Sequence, residues 1–272
     1  MMSHYKTHPK ITVPDILAMK ANGEKISMLT AYDALMAEIL DTAGIDIVLV
    51  GDSGAMVMAG RENTLSITMD EMLFYTKSVK CGVSHALLVA DMPYLSYQIS
   101  AEKALENAGR FLKEAAAEAV KVEGGEAMAA TISRMVNIGI PVMGHLGLTP
   151  QSIHAFGGYK VQGIKQEHAD RMVNDAKVLE QAGVFSIVLE KIPAELAKQI
   201  TAAVSIPTIG IGAGAACDGQ VLVTQDLLGM FRKFKPKFVR RYAKIGDDIE
   251  KACKKYIRDV KSAKFPSDNE SF

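Results

Sequence analysis

The chain has 272 residues, of which 49% are hydrophobic, 23% charged and 6% aromatic, and its 31 basic residues balance 31 acidic ones. So apolar a composition excludes a disordered chain, and no run reaches the roughly 18 apolar residues that a membrane span needs. The N-terminus has no apolar signal segment, and Cys81, Cys217 and Cys253 form neither a disulfide framework nor a zinc spacing. We therefore expect a cytoplasmic globular protein.

Short apolar runs along the chain predict buried parallel strands, because most of them are continuous rather than alternating. The eight runs are Ile26–Thr30, Ile45–Val50, Ala86–Ala90, Ala119–Glu123, Pro141–Gly144, Phe185–Leu189, Pro207–Gly210 and Gln220–Val223. Segments with helical periodicity lie between them, at Asp33–Ala43, Thr68–Val83, Ala101–Glu118, Glu126–Ile138, Glu167–Ala182 and Ala194–Val204. This alternation predicts an α/β fold, a single-domain (β/α)8 TIM barrel that spans residues 1–272.

The alternative fold is an open, doubly wound sheet, which usually carries a glycine-rich loop after its first strand. Here the first strand ends in Thr30-Ala31-Tyr32-Asp33, without glycine, and the cluster GIGAG at 210–214 follows the seventh strand instead. The barrel is the better prediction.

The C-terminal residues 231–272 are basic, with 13 Lys/Arg against 6 Asp/Glu, a formal charge of +7. The apolar residues Phe238, Tyr242, Ile245, Ile249, Ala252 and Tyr256 recur at steps of three and four. This spacing predicts an amphipathic helical extension that packs through one stripe. The alternative, a nucleic-acid-binding arm, would bind DNA or RNA in a salt-sensitive way.

Two segments that follow predicted strands are predicted to be loops, the first a small hairpin or lid and the second a mobile loop. Gly60–Ser66 follows the second strand and Gly157–Gly163 follows the fifth. The second loop has a Tyr-Lys tip between glycines, which is typical of a mobile loop.

Acidic residues collect at the predicted strand ends, which in a barrel meet at one mouth where active sites lie. The candidate site residues are Asp52 and Ser53 after strand two, Asp91 after strand three, Lys121 and Glu123 on strand four, His145 after strand five and Glu190 after strand six. Asp52 or Asp91 alone could cap a helix, and His145 alone could be a core histidine. Together, four carboxylates in one cavity require compensation, and oxygen ligands favour Mg²⁺ over zinc.

A Mg²⁺ ion with open coordination positions can chelate a 2-oxo acid and stabilise the enolate that forms when a carboxylate removes the adjacent proton. The residues therefore predict enolate chemistry on a keto acid. They do not identify the electrophile.

Seven segments, in chain order, resemble the ketopantoate hydroxymethyltransferase family. They are GDS at 51–53, ADMPY at 90–94, KVEGG at 121–125, GHLGLTPQS at 144–152, FGGYKVQG at 156–163, VLE at 188–190 and IPTIGIGAG at 206–214. The resemblance implies a (β/α)8 barrel that transfers a hydroxymethyl group from 5,10-methylenetetrahydrofolate to 3-methyl-2-oxobutanoate. The product would be 2-dehydropantoate, on the route to pantothenate and coenzyme A.

The resemblance also implies roles for the strand-end residues. Asp52 and Asp91 would bind Mg²⁺ with Glu123 at or near the metal, and Asp52, Ser53, Asp91 and Lys121 would contact the keto acid. Glu190 would accept the proton, with His145 as a supporting residue. The family further implies a large homo-oligomer, a decamer, joined in part through the C-terminal helix.

Two other functions are open at this point. A Mg²⁺-dependent barrel of the isocitrate lyase and phosphoenolpyruvate mutase type would carry a reactive cysteine in a strand-end loop, whereas Cys81 lies at a predicted helix end. A phospho-ligand-binding protein would use the backbone amides of GIGAG at 210–214 as an anion site, without metal.

Overall fold

The computed structural model describes residues 9–232 and 235–272. Within this part of the chain, eight parallel strands form a closed barrel in sequence order, and β8 pairs with β1. The strands are β1 (Ile26–Thr30), β2 (Ile47–Val50), β3 (Leu87–Asp91), β4 (Ala119–Glu123), β5 (Val142–Gly147), β6 (Ser186–Glu190), β7 (Thr208–Ile211) and β8 (Gly219–Leu222). The predicted TIM-barrel fold is confirmed.

Helices follow most of the strands, close to the predicted positions. They are α1 (Val13–Ala21), α2 (Ala34–Thr42), α3 (Gly54–Val57), α4 (Met69–Lys80), α5 (Ala101–Ala115), α6 (Ala129–Asn137), α7 (Ile153–Phe156), α8 (Gln166–Gln181), α9 (Ala194–Ala203), α10 (Thr224–Leu227) and α11 (Ile245–Lys261). Sequence periodicity missed α1 and the three one-turn helices α3, α7 and α10. None of the helices in the described residues is long and apolar enough to cross a membrane.

Buried side chains fill the barrel in two clusters, which follow from the alternation of residues along each strand. Leu87 and Val89 of β3 belong to the inner cluster, whereas Leu88 and Ala90 pack outward beneath the helices. Ile16 of α1 is completely buried against the inner cluster. The interior is therefore packed, and polar side chains can collect only at a strand end.

The described residues divide into two compact units, one up to Leu222 and one from Val223. The second unit contains α10 and α11. The predicted helix from Phe238 begins later, at Ile245, because the backbone N–H groups of Tyr242 and Ile245 donate to the carbonyl oxygens of Leu227 and Leu228. These bonds replace the first helical turns.

Candidate active site

The predicted site residues of β3 to β6 face inward at the C-terminal ends of their strands, whereas Asp52 and Ser53 follow the end of β2 at Val50. The strand register sets Asp91 beside Lys121 and Glu123 beside His145, and it sets Glu190 beside Gly147. Since apolar residues precede them on the same face, these polar side chains form the top layer of the barrel interior. The structure thus brings together the predicted residues of strands three to six.

Asp52 and Asp91 are held together by a backbone hydrogen bond. The N–H of Asp52 donates to Asp91 Oδ2 over 3.0 Å, and both side chains are buried. Position 51 requires glycine, because the Cβ atom of any other residue would lie only 2.6 Å from Ser53 Oγ and would clash with it. The turn after β2 therefore aims Asp52 and Ser53 at the end of β3.

Lys121 and His145 lie between the carboxylates. Lys121 Nζ is 2.7 Å from Asp91 Oδ1, an ion pair without hydrogen-bond geometry, and 3.1 Å from His145 Nδ1. The same Nδ1 atom is 3.4 Å from Glu123 Oε1, and His145 Nε2 is 3.3 Å from Glu190 Oε2. His145 therefore connects Glu190 with the residues of β4.

Gln151 is a site residue that the sequence analysis did not predict. Its side-chain Nε2 donates to Asp52 Oδ2 and to the carbonyl of Met92, and its backbone N–H donates to Glu123 Oε2. Its Oε1 accepts a 2.7 Å hydrogen bond from Tyr97. Gln151 lies within the distinctive segment GHLGLTPQS at 144–152. Its side chain is neutral, so it lacks the charge by which most of the other site residues can be predicted from the sequence.

Two buried tyrosines, which follow the C-terminal ends of β1 and β3, form hydrogen bonds with residues of the site. The hydroxyl groups of Tyr32 and Ser53 are 2.8 Å apart, and Tyr97 accepts a 3.0 Å hydrogen bond from the backbone N–H of Glu123. Burial raises the pKa of both tyrosines. Both therefore act as neutral hydrogen-bonding groups.

The site carries more negative than positive charge. Burial, followed by the charges of Asp91 and Glu123, raises the pKa of Asp52 to about 8. Burial also raises the pKa of Asp91 in spite of the Lys121 ammonium beside it. Burial and Lys121 lower the pKa of His145, but its contacts with Glu123 and Glu190 outweigh them and raise it to about 9. Additional positive charge would therefore be stabilised here.

The carboxylate oxygens of the site are suitable ligands for a hard cation that binds only a few protein side chains. No group of three or more His, Cys, Asp or Glu side chains in the described residues could hold a metal by itself. Mg²⁺ commonly uses one or two carboxylates and completes its shell with water or substrate oxygens. Asp52 and Asp91 could supply such a pair, since both are buried and Asp91 Oδ1 faces only the Lys121 ammonium, without hydrogen-bond geometry.

Both predicted loops beside the mouth are tied to the barrel. In the segment 60–66, the Arg61 guanidinium pairs with Glu71 of α4 and donates to the carbonyl of Ser66. In the segment 157–163, the carbonyl of Tyr159 accepts a hydrogen bond from Lys191 Nζ. The second loop is thus connected to the residue that follows Glu190.

Comparison with known proteins identifies close relatives of the whole chain. The family profile described as ketopantoate hydroxymethyltransferase matches residues 10–268. A 3-methyl-2-oxobutanoate hydroxymethyltransferase from Syntrophus aciditrophicus (strain SB) is 55% identical over 271 residues, covering 100% of both chains. The enzyme of that name from Clostridium botulinum (strain Langeland / NCTC 10281 / Type F) is 56% identical and covers 96% of this chain and 95% of its own.

Solved structures with the same fold are more distant in sequence. A 2,3-dimethylmalate lyase, a member of the PEP mutase/isocitrate lyase superfamily, aligns with a TM-score of 0.61 at 16% identity, over 95% of this chain and 90% of its own. Phosphonopyruvate hydrolase in complex with oxalate and Mg²⁺ aligns with a TM-score of 0.60 at 13% identity, over 96% and 93%. These likenesses concern the fold, and Cys81 lies at the end of α4 as predicted. The full-length matches show that the chain is an enzyme that belongs to the ketopantoate hydroxymethyltransferase family.

Proposed function

We propose that the enzyme transfers a hydroxymethyl group from 5,10-methylenetetrahydrofolate to 3-methyl-2-oxobutanoate, giving 2-dehydropantoate for pantothenate and coenzyme A synthesis. Relatives with that transferase name share more than half of their residues with this chain over nearly its full length. The observation that carries the proposal is the buried cluster of Asp52, Asp91, Lys121 and Glu123, with Glu190 linked to it through His145. We also expect the enzyme to act in the cytoplasm, where free cysteines are stable.

A magnesium ion is the cofactor that this proposal requires. Asp52 and Asp91 would hold it, and Glu123 would lie at or near it, because these three carboxylates are buried together and burial raises the pKa of both aspartates, so a cation beside them would be stabilised. When bound, the ion would supply Lewis-acid stabilisation of negative charge on the keto oxygen of the substrate.

The chain's own residues would hold the keto acid. The ammonium of Lys121 is the positive side chain among the acids at the end of β4, so it would attract the substrate carboxylate. Ser53 Oγ, held by Tyr32, would donate to the same carboxylate. Asp52 and Asp91, which adjoin Lys121, would also contact the substrate.

Glu190 would be the general base. Its side chain is 18% exposed and thus more accessible than the neighbouring acids, while His145 Nε2 lies 3.3 Å from one of its oxygens. It would take the proton from C3 of the keto acid, and the electron pair of the broken C–H bond would pass into the enolate. C3 of the enolate would then form the new bond to the one-carbon unit, and both carbon–nitrogen bonds that join this unit to the folate would break. One water molecule would supply the hydroxyl group of the product, and the two folate nitrogens would take up one proton from that water and one from C3.

The test follows the proton at C3 by NMR in D₂O, with Mg²⁺ and 3-methyl-2-oxobutanoate but without folate. We expect the wild type to exchange this proton, and we expect Glu190→Gln to lose exchange and product formation by a factor of roughly 10² or more while it still binds Mg²⁺ and keto acid. Glu195→Gln, an exposed change on α9, is the matched control.

Exchange by Glu190→Gln at the wild-type rate would show that Glu190 is not the base. Full wild-type activity in EDTA would refute the metal requirement.

A further inference from the structure

Lys191 has a backbone conformation that lysine rarely adopts. Its φ is +49°, in the left-handed region, directly after the proposed base Glu190. Both sides of the residue are fixed, since its N–H donates to the carbonyl of Ile211 over 2.8 Å and its carbonyl accepts from the N–H of Gln162 over 3.0 Å. Such strained residues persist where the surroundings hold them, and they cluster at functional sites.

The side chain of Lys191 makes a second connection to the same loop. Its Nζ donates to the carbonyl oxygen of Tyr159, three residues before Gln162. One residue at the end of β6 therefore holds the loop of residues 157–163 at two points. A charged donor makes the connection to Tyr159 stronger than a neutral hydrogen bond.

The loop begins with two glycines that end α7, where the N–H groups of Gly157 and Gly158 donate to the carbonyls of His154 and Ile153, and it ends at a packed glycine. Gly157 and Gly158 both have positive φ, at 65° and 114°, which only glycine adopts readily. Gly163 is buried, and a Cβ atom there would lie 2.4 Å from Leu196 Cδ2 of α9. The segment can therefore turn about its first residues while Gly163 stays packed on the helix.

The tip of the loop extends over the mouth of the barrel. Tyr159 Oη approaches Met56 Sδ of α3, which follows Asp52 and Ser53, to 3.6 Å. Partial burial, followed by the charges of Glu190 and Asp52, raises the pKa of Tyr159. The tyrosine thus lies between Glu190 at the end of β6 and the turn after β2 that carries Asp52.

We propose that Lys191 is a positioning residue that fastens the loop of residues 157–163 across the mouth, so that Tyr159 excludes water from Glu190 and the bound keto acid. The inference rests on the proposed function for the identity of the substrate. Water exclusion strengthens the electrostatic interactions of a base and a developing enolate, which is the usual role of a closing loop. Lys191 couples that closure to the base because its peptide group is joined to Glu190.

The first measurement is amide hydrogen exchange of the full-length protein, read by mass spectrometry. Lys191→Met keeps the length of the side chain and removes the ammonium, so we expect exchange in residues 157–163 to rise by roughly tenfold. Exchange in residues 186–190 should stay unchanged. Lys191→Arg should restore most of the protection, and Lys165→Met, an exposed change just after the loop, should have no effect.

A fluorescent reporter can follow the tip itself, since the chain contains no tryptophan. In a Tyr159→Trp background, acrylamide should quench the single indole less when Mg²⁺ and 3-methyl-2-oxobutanoate are present. Adding Lys191→Met should abolish this protection by the substrate, and adding Lys165→Met should preserve it.

Kinetics separates positioning from a general loss of structure. We expect Lys191→Met to raise the KM for the keto acid several-fold and to lower kcat, with recovery in Lys191→Arg and an unchanged melting temperature. Unaltered loop exchange in Lys191→Met, or equal increases in residues 157–163 and 186–190, would overturn the inference. The exchange experiment needs no turnover, so an inactive wild type would refute the proposed function and still leave the role of Lys191 measurable.

Discussion

At the scale of single residues, an uncharged side chain organises the acids of the site. Gln151 binds Asp52 through its amide and Glu123 through its backbone N–H. The side-chain amide of Gln151 donates to both Asp52 and the Met92 carbonyl. Its removal would therefore leave these two buried acceptors without this donor. Each such acceptor costs about 1–3 kcal/mol.

We therefore predict that Gln151→Leu lowers the free energy of unfolding by about 2 kcal/mol and reduces kcat/KM by roughly 10- to 100-fold. Urea unfolding and steady-state assays measure the two effects. Gln166→Leu, on the exposed first turn of α8, is the control and should change neither quantity. A stable, fully active Gln151→Leu enzyme would contradict the role of this network.

Lys121 gives a second prediction at this scale. Burial lowers the pKa of this lysine, but Asp91 and Glu123 outweigh burial and raise it, so the ammonium is charged. If it binds the substrate carboxylate, Lys121→Met should raise the KM for 3-methyl-2-oxobutanoate more than the KM for the folate. Equal increases in the two constants would instead favour a role in balancing the charges of the acids.

At the scale of elements, sequence patterns predict the strands well because parallel strands buried on both faces are continuous apolar runs. The polar residue that ends each run, such as Asp91 or Glu190, could also be predicted to lie at the mouth. The contact of His145 with Glu190 could not, because it depends on how closure of the barrel sets neighbouring strands in register. Likewise, the start of α11 depends on hydrogen bonds to Leu227 and Leu228, which leave no local sequence signal.

Asp41, the last but one residue of α2, joins this helix to the segment that enters β3. Its carboxylate is buried and accepts hydrogen bonds from the backbone N–H groups of Ser84, His85 and Ala86. Burial raises its pKa, but these hydrogen bonds outweigh burial and lower it below the usual value of 3.8. The partial negative charge of a helix C-terminus repels a carboxylate. The three backbone N–H donors offset this repulsion and explain why an aspartate is found at this position.

We predict that Asp41→Asn lowers the free energy of unfolding at pH 7 by about 2 kcal/mol. The control is Asp170→Asn, an exposed change on α8, which should leave the free energy of unfolding nearly unchanged. Because the folded-state pKa is lowered, this stabilisation is present above the unfolded pKa near 3.8 and disappears as the pH falls through the folded value. Urea unfolding of both proteins between pH 7 and pH 3 should show the difference shrinking only below about pH 4. A constant difference across that range would contradict the charge-based explanation.

At the scale of the whole molecule, the described residues leave the apolar stripe of α11 largely exposed. The helix has no buried residue, and its apolar stripe contains the exposed side chains of Ile249, Tyr256, Ile257 and Val260. Exposed apolar stripes of this kind mark interaction surfaces. The formal charge is also unevenly distributed along the chain, with +7 on residues 231–272 and −7 on the preceding residues. Both features favour association of identical chains, and the family resemblance implies a large ring.

We therefore predict a large homo-oligomer that depends on the apolar stripe of α11. Replacing Ile249 and Val260 together by lysine places two charges in that stripe, so the assembly should dissociate to smaller species while the barrel stays folded. Light scattering coupled to gel filtration measures the mass at micromolar concentration, and circular dichroism checks the fold. Lys255→Ala, on the charged face of the same helix, should leave the mass unchanged. A monomeric wild type, or an undisturbed assembly in the double variant, would refute the role of this helix.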